Sequence, residues 1–237
     1  MRAPGPLLCA AAAVVVWALA GPGLAAADGA LSAAASAARA RLAAMTIAFE
    51  PERLVQFAGQ GDAAVVEAFL EAGMRPDATE PRRGSTALIH AAANGHLRIV
   101  ARLLEAGASP NLPDQDGTTA LAAACYFGRA AVVDALLAKG AEARVAAAGA
   151  AVSALEAAIW SGDARIVKRL LAAGADPVGA SRETPPLVRA AYTGRLEILG
   201  ALLDARPPPA VLRRAREAAR RARHPEAEAL LARALGP

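Results

Sequence analysis

From Thr86 to Asn111 the chain reads TALIHAAANGHLRIVARLLEAGASPN, and the reading of this stretch decides the fold. Thr86 puts a side-chain oxygen in front of an apolar run, where it can cap a helix. Leu88 faces inward, and Ala91-Ala92 is small enough for a neighbouring helix to approach closely. Gly95 ends that helix in a left-handed conformation that costs any side-chain-bearing residue more. A second helix follows, with Ile99, Val100, Leu103 and Leu104 on one face, and Gly107 ends it. Pro110-Asn111 and Asp114-Gln115-Asp116-Gly117 make a turn-rich connector without helical period.

The unit recurs on both sides. Downstream come TALAAACYFGRAAVVDALLAKGAEAR from Thr119, SALEAAIWSGDARIVKRLLAAGADPV from Ser153 and PLVRAAYTGRLEILGALLDA from Pro186; upstream comes LVQFAGQGDAAVVEAFLEAGMRPD from Leu54. The mid-repeat glycines Gly61, Gly95, Gly128, Gly162 and Gly194 lie 34, 33, 34 and 32 residues apart. Gly73, Gly107, Gly140 and Gly174 close the second helices at steps of 34, 33 and 34. Thr119 and Ser153 repeat the capping role of Thr86, and Leu121, Leu155 and Leu187 repeat Leu88.

A period near 33 residues with a T-P-L-H-x-A-like core resembles the ankyrin repeat family. The resemblance covers Leu54 to Ala205 and implies an all-α ankyrin-type helical solenoid with short connecting hairpin loops. Ala87, Ala120 and Ala154 stand where the family has proline; Ile89, Ala122 and Glu156 stand where it has histidine. The connector EARVAAAGAAV before Ser153 lacks the usual Asp and Asn, and TPPL carries an extra proline. Val211 to Leu235 reads as a worn sixth repeat. Its glycine position becomes Ala222, and Leu230-Leu231 stands at the second-helix leucine pair.

The organisation reads as a signal peptide over 1–27, an Ala-rich leader over 28–50 and a repeat array over 51–237, with a basic C-terminal cap from 209. Arg2 precedes the apolar run Leu7–Ala20. Gly21, Pro22 and Gly23 break any helix there, and Ala25-Ala26-Ala27 before Asp28 suits a signal peptidase. The competing reading is an uncleaved anchor, since the run through Ala27 approaches the length that spans a bilayer. Residues 28–41 read equally as a helix leading into the first repeat and as a flexible leader. Beyond the signal only Cys125 remains, so no internal disulfide can form.

Composition points the same way. Aromatic residues make up only 3% of the chain, which suits thin, closely packed helical layers rather than a broad core. From Arg206 onward eight arginines face Glu217, Glu226 and Glu228, a balance of +5 within a total of +4, so the basic character belongs to the tail. That tail could meet membrane or nucleic acid, but no interleaved aromatics accompany it, and a solvated cap is the better reading. His90, His96 and His224 form no cluster with metal-ligand spacing, and the singly spaced glycines form no phosphate-cradling loop. Cys125 has no neighbouring base to activate it. The sequence therefore reads as non-catalytic, without a cofactor, metal or nucleic-acid partner and without a stable membrane span after cleavage. It reads as a monomer that binds a protein partner in the periplasm or outside the cell. An exported effector acting through its basic cap is the alternative.

The expected partner surface is a stripe. Tyr126, Trp160 and Tyr192 each stand two residues before a mid-repeat glycine, so stacked repeats line them up on the inner helices. His90 joins on an adjacent row, and Phe127 stands at the edge. Large aromatic side chains with few rotors make good interface anchors.

Overall fold

The computed structural model describes residues 22–144, 152–178 and 184–236. Among these residues the regular structure is helical, with thirteen helices and one isolated antiparallel bridge between Thr79 and Thr86. In chain order they are α1 (Pro22–Ala44), α2 (Pro51–Gln60), α3 (Ala63–Glu71), α4 (Ala87–Asn94), α5 (Leu97–Glu105), α6 (Ala120–Tyr126) and α7 (Ala130–Ala138). There follow α8 (Ala154–Ser161), α9 (Ala164–Ala172), α10 (Pro186–Tyr192), α11 (Leu196–Asp204), α12 (Pro209–Arg221) and α13 (Pro225–Leu235).

Six helix pairs stack in order. The first helices α2, α4, α6, α8, α10 and α12 pack in one row, and the second helices α3, α5, α7, α9, α11 and α13 in another. The rows meet in one continuous apolar core. Alanine makes the close stacking possible: Ala91, Ala92, Ala124, Ala158, Ala190 and Ala191 are all fully enclosed, where a larger side chain would push the helices apart. Contact between α8 and α10 is the sparsest within the first-helix row.

The caps form as the sequence requires. Thr86 Oγ1 accepts from the Ile89 amide (3.3 Å) and Thr119 Oγ1 from the Ala122 amide (3.2 Å). Ser153 and Glu156 form a reciprocal capping box. Every mid-repeat glycine from Gly61 to Gly194 takes positive φ.

One side chain recurs in binding repeat to repeat. The residue after a mid-repeat glycine reaches back to a carbonyl near the end of the preceding first helix, where helices leave acceptors unpaired. His96 Nε2 lies 3.0 Å from Gly59 O, Arg129 Nε donates to Ala93 O (3.0 Å), and Arg195 Nη1 donates to Ile159 O (3.0 Å). In the fourth repeat Asp163 holds this position. It cannot donate, and instead caps α9 by accepting from Arg165. The Arg165 guanidinium also donates to Asp163 and holds its carboxyl below the usual carboxylate range.

Two sequence expectations change, and one open reading narrows. The Gly21-Pro22-Gly23 element does not bar a helix: α1 begins at Pro22, because proline is at home in a first helical turn, where its missing N–H is not needed. Of the two readings of residues 28–41, the structure has the helix leading into the first repeat. It is the body of α1, which packs on α3 and buries Ala38 and Leu42 in the common core. Arg39 Nε donates to Ala72 O (3.2 Å), and Arg41 pairs with Glu71. In the sixth repeat the left-handed position is Arg223 (φ +60°), not Ala222, which is right-handed. Arg223 stands two residues before α13, as Gly194 stands before α11, so the left-handed turn keeps its place while its residue is no longer glycine. The proposed signal run up to Gly21 and the connector over 145–151 lie outside the described residues.

Candidate functional site

In the middle of the first-helix row, α6 and α8 bury nearly all of their side chains. On α6 the six residues Ala120 to Cys125 are buried, and only Tyr126, at the last position, turns outward. The same place on α8 is Trp160 and on α10 Tyr192. Among the described residues these three and Phe127 are large apolar side chains left exposed, Tyr192 the most at 61% and Trp160 the least at 42%.

The structure brings three of the five expected residues together. Tyr126 meets Trp160 edge-on with ring centroids 5.9 Å apart, and meets Phe127 at 5.0 Å in the same manner. They wall a hollow of about 330 Å³, floored by Ala122, Ala123 and Ala157 and rimmed by Asp116 and Thr118 of the preceding connector. The small floor residues serve packing first, but they also leave the depression that the aromatic walls enclose.

Tyr192 does not continue the ring contacts. Arg189 stands in between, its guanidinium 4.9 Å from the Trp160 ring centroid. Tyr192 instead borders a second hollow of about 520 Å³ with Val188, Arg213 and Arg221. His90 sits apart at the other end, half-buried, in a hollow of about 550 Å³ with Glu52, Glu80 and Arg83. The expected ladder is thus three successive hollows, with the aromatic cluster in the middle.

Sequence reasoning passed over Arg189. It lies on the exposed side of α10, donates from Nη2 to Thr184 Oγ1 (3.1 Å), and leaves a buried Nε–H without a partner. Glu156 Oε1 is the other unpartnered buried side-chain atom in this region; its Oε2 accepts from the Ser153 amide and hydroxyl. A lone arginine in a helix carries no sequence signal of this kind, because only the neighbouring repeat's tryptophan gives it a place.

Three arginines of the basic tail are in ion pairs. Glu217 pairs with Arg220 and Arg221, and Glu228 lies 3.6 Å from Arg216. Arg213 is exposed and forms no such pair. Cys125 is fully enclosed, and burial pushes its thiol up to about 12. Among the described residues no group of three or more His, Cys, Asp or Glu is placed to hold a metal ion, and no helix is long and apolar enough to cross a membrane.

Comparison with known proteins agrees with this geometry. Residues 54–147 match the family of ankyrin repeats in three copies. A probable E3 ubiquitin-protein ligase, XBOS32 of Oryza sativa subsp. japonica, is 41% identical over 87 residues, covering 36% of this chain and 18% of the ligase. A putative ankyrin repeat protein of Rickettsia felis is 41% identical over 61 residues, covering 26% of this chain and 20% of its own. The match thus spans about a fifth of these relatives' length. The crystal structure of the human ASB11 ankyrin repeat domain superposes with a TM-score of 0.69 at 26% identity, covering 78% of this chain and 83% of that one. Residues 54–147 are ankyrin repeats, and the described chain has the ankyrin repeat fold.

Proposed function

We propose that this chain is an exported, non-catalytic binding module that holds a protein partner on its first-helix row. Ankyrin repeats are generally protein–protein interaction modules. The observation that carries the reading here is the placement of Tyr126, Phe127 and Trp160. In a chain so poor in aromatics, three of them stand exposed in one cluster around an apolar hollow. Left in water, that surface gains nothing; covered by a partner, it buries large area at low rotamer cost. The row is the concave side of an ankyrin-type stack, which a partner segment can follow from repeat to repeat.

The test is capture of partner from the exported fraction by wild type and by a Trp160→Ala/Tyr192→Ala variant. Loss of capture with unchanged melting supports the row as the site. Equal capture by a normally folded variant removes it, and a joint loss of stability and capture assigns the aromatics to stacking.

Export rests on the three-part pattern of residues 1–27. Ala38 and Leu42, which α1 buries in the core, lie beyond a cleavage after Ala27. Mass spectrometry of the exported protein should find Asp28 at the N-terminus; an intact Met1 would support the anchor reading instead.

A further inference from the structure

We infer that the partner segment is an extended acidic peptide, with one apolar residue in the Tyr126–Trp160 hollow and a carboxylate on Arg189. This inference rests on the first-helix row being the binding face.

Three observations converge on it. The central hollow is walled by rings and floored by alanines, so it takes an apolar side chain. Beside it, the half-buried Arg189 guanidinium lies over Trp160 and is in none of the ion pairs of the described residues. A carboxylate is the acceptor that suits a planar guanidinium best. Further along the row Arg213 borders the Tyr192 hollow without an ion pair. The opposite direction is mixed: Asp116 rims the central hollow, and in the hollow of His90 Glu52 and Glu80 balance Arg82 and Arg83. The row therefore has electrical polarity, and it directs carboxylates toward α10 and α12. A nucleic acid strand also offers stacking and negative charge, but it carries phosphate at every step and would meet Asp116, Glu80 and Glu52.

Spacing makes the inference sharper. Packed helices lie about 8–10 Å apart, and an extended chain advances about 3.3–3.6 Å per residue. Carboxylates should therefore stand about two to three residues from the apolar anchor for Arg189, and about five to six for Arg213, to one side only.

The experiment is selection of random dodecapeptides displayed on phage against the immobilised full chain. Binding of a fluorescein-labelled copy of the leading peptide is then measured. The expected result is enrichment of one Leu, Phe or Trp with Asp or Glu at those spacings on one side. Arg189→Gln, checked for unchanged melting, should weaken the labelled peptide by about tenfold or more. Arg213→Glu, at an exposed position, should weaken it as well, and Trp160→Ala should abolish anchoring. Enriched peptides that are neutral or basic, or that bind Arg189→Gln and Arg213→Glu as tightly as wild type, overturn the acidic assignment and leave the row intact. No enrichment, or peptides indifferent to Trp160→Ala, overturns the row itself. Binding of single-stranded DNA with no peptide enrichment also overturns the inference.

Discussion

Arg223 holds a left-handed backbone, at φ +60°, that every other repeat gives to glycine. A side chain in that region costs about 1–2 kcal/mol. Arg223→Gly should therefore stabilise the sixth repeat by up to about 1 kcal/mol, the gain being reduced by glycine's freedom in the unfolded chain. A rise in melting temperature checks it. Gly128 is the converse case. Its φ is +67°, and a Cβ there would meet no atom within 4 Å. The cost of Gly128→Val is therefore backbone strain rather than collision, about 1–3 kcal/mol, read as a lowered denaturation midpoint. Cys125 gives a third residue-scale expectation. Enclosed and with its thiol pushed up to about 12, it should resist thiol-modifying reagents in the folded protein and react fully once denatured. Rapid modification under native conditions would mean that α6 opens locally.

At the scale of elements, the repeats were legible because their constraints are local. Thr86, Thr119 and Ser153 cap, the glycines turn, and the alanine pairs set helix spacing; each acts within a few residues, so each leaves a mark in the sequence. The ends were less legible because their constraints come from packing. Nothing in residues 28–44 distinguishes a leader from a cap until α3 supplies a surface for Ala38 and Leu42. The same holds for Arg223, whose left-handed place two residues before α13 is marked by no glycine. Leu42 is 1% exposed, so Leu42→Ala should cost about 2–5 kcal/mol if α1 is an integral end cap. Chemical denaturation measures this, and a change under about 0.5 kcal/mol would show that α1 contributes little to the stack. The aromatic cluster was legible in part. Equal register placed Tyr126 and Trp160 side by side, whereas the interruption by Arg189 before Tyr192 depends on side-chain packing across two repeats.

At the scale of the whole molecule, the stack is a one-dimensional object whose neighbours hold each other. Exposed ion pairs such as Arg102–Glu67, 3.2 Å apart, join adjacent second helices but add little stability. Most of the cohesion comes from the shared apolar core and from the side chains of His96, Arg129 and Arg195 that reach back one repeat. What remains exposed on the first-helix row is then available for a partner. Trp17 and Trp160 are the chain's two tryptophans, and in a Trp17→Phe variant only Trp160 remains. It is 42% exposed beside the central hollow, so its fluorescence reports directly on that site. The decisive measurement is the emission of Trp160 during titration with the captured partner. Occupation of the row should shift the emission to shorter wavelength in proportion to binding, as water leaves the ring. Saturable binding with an unchanged Trp160 spectrum would place the partner elsewhere and contradict the account.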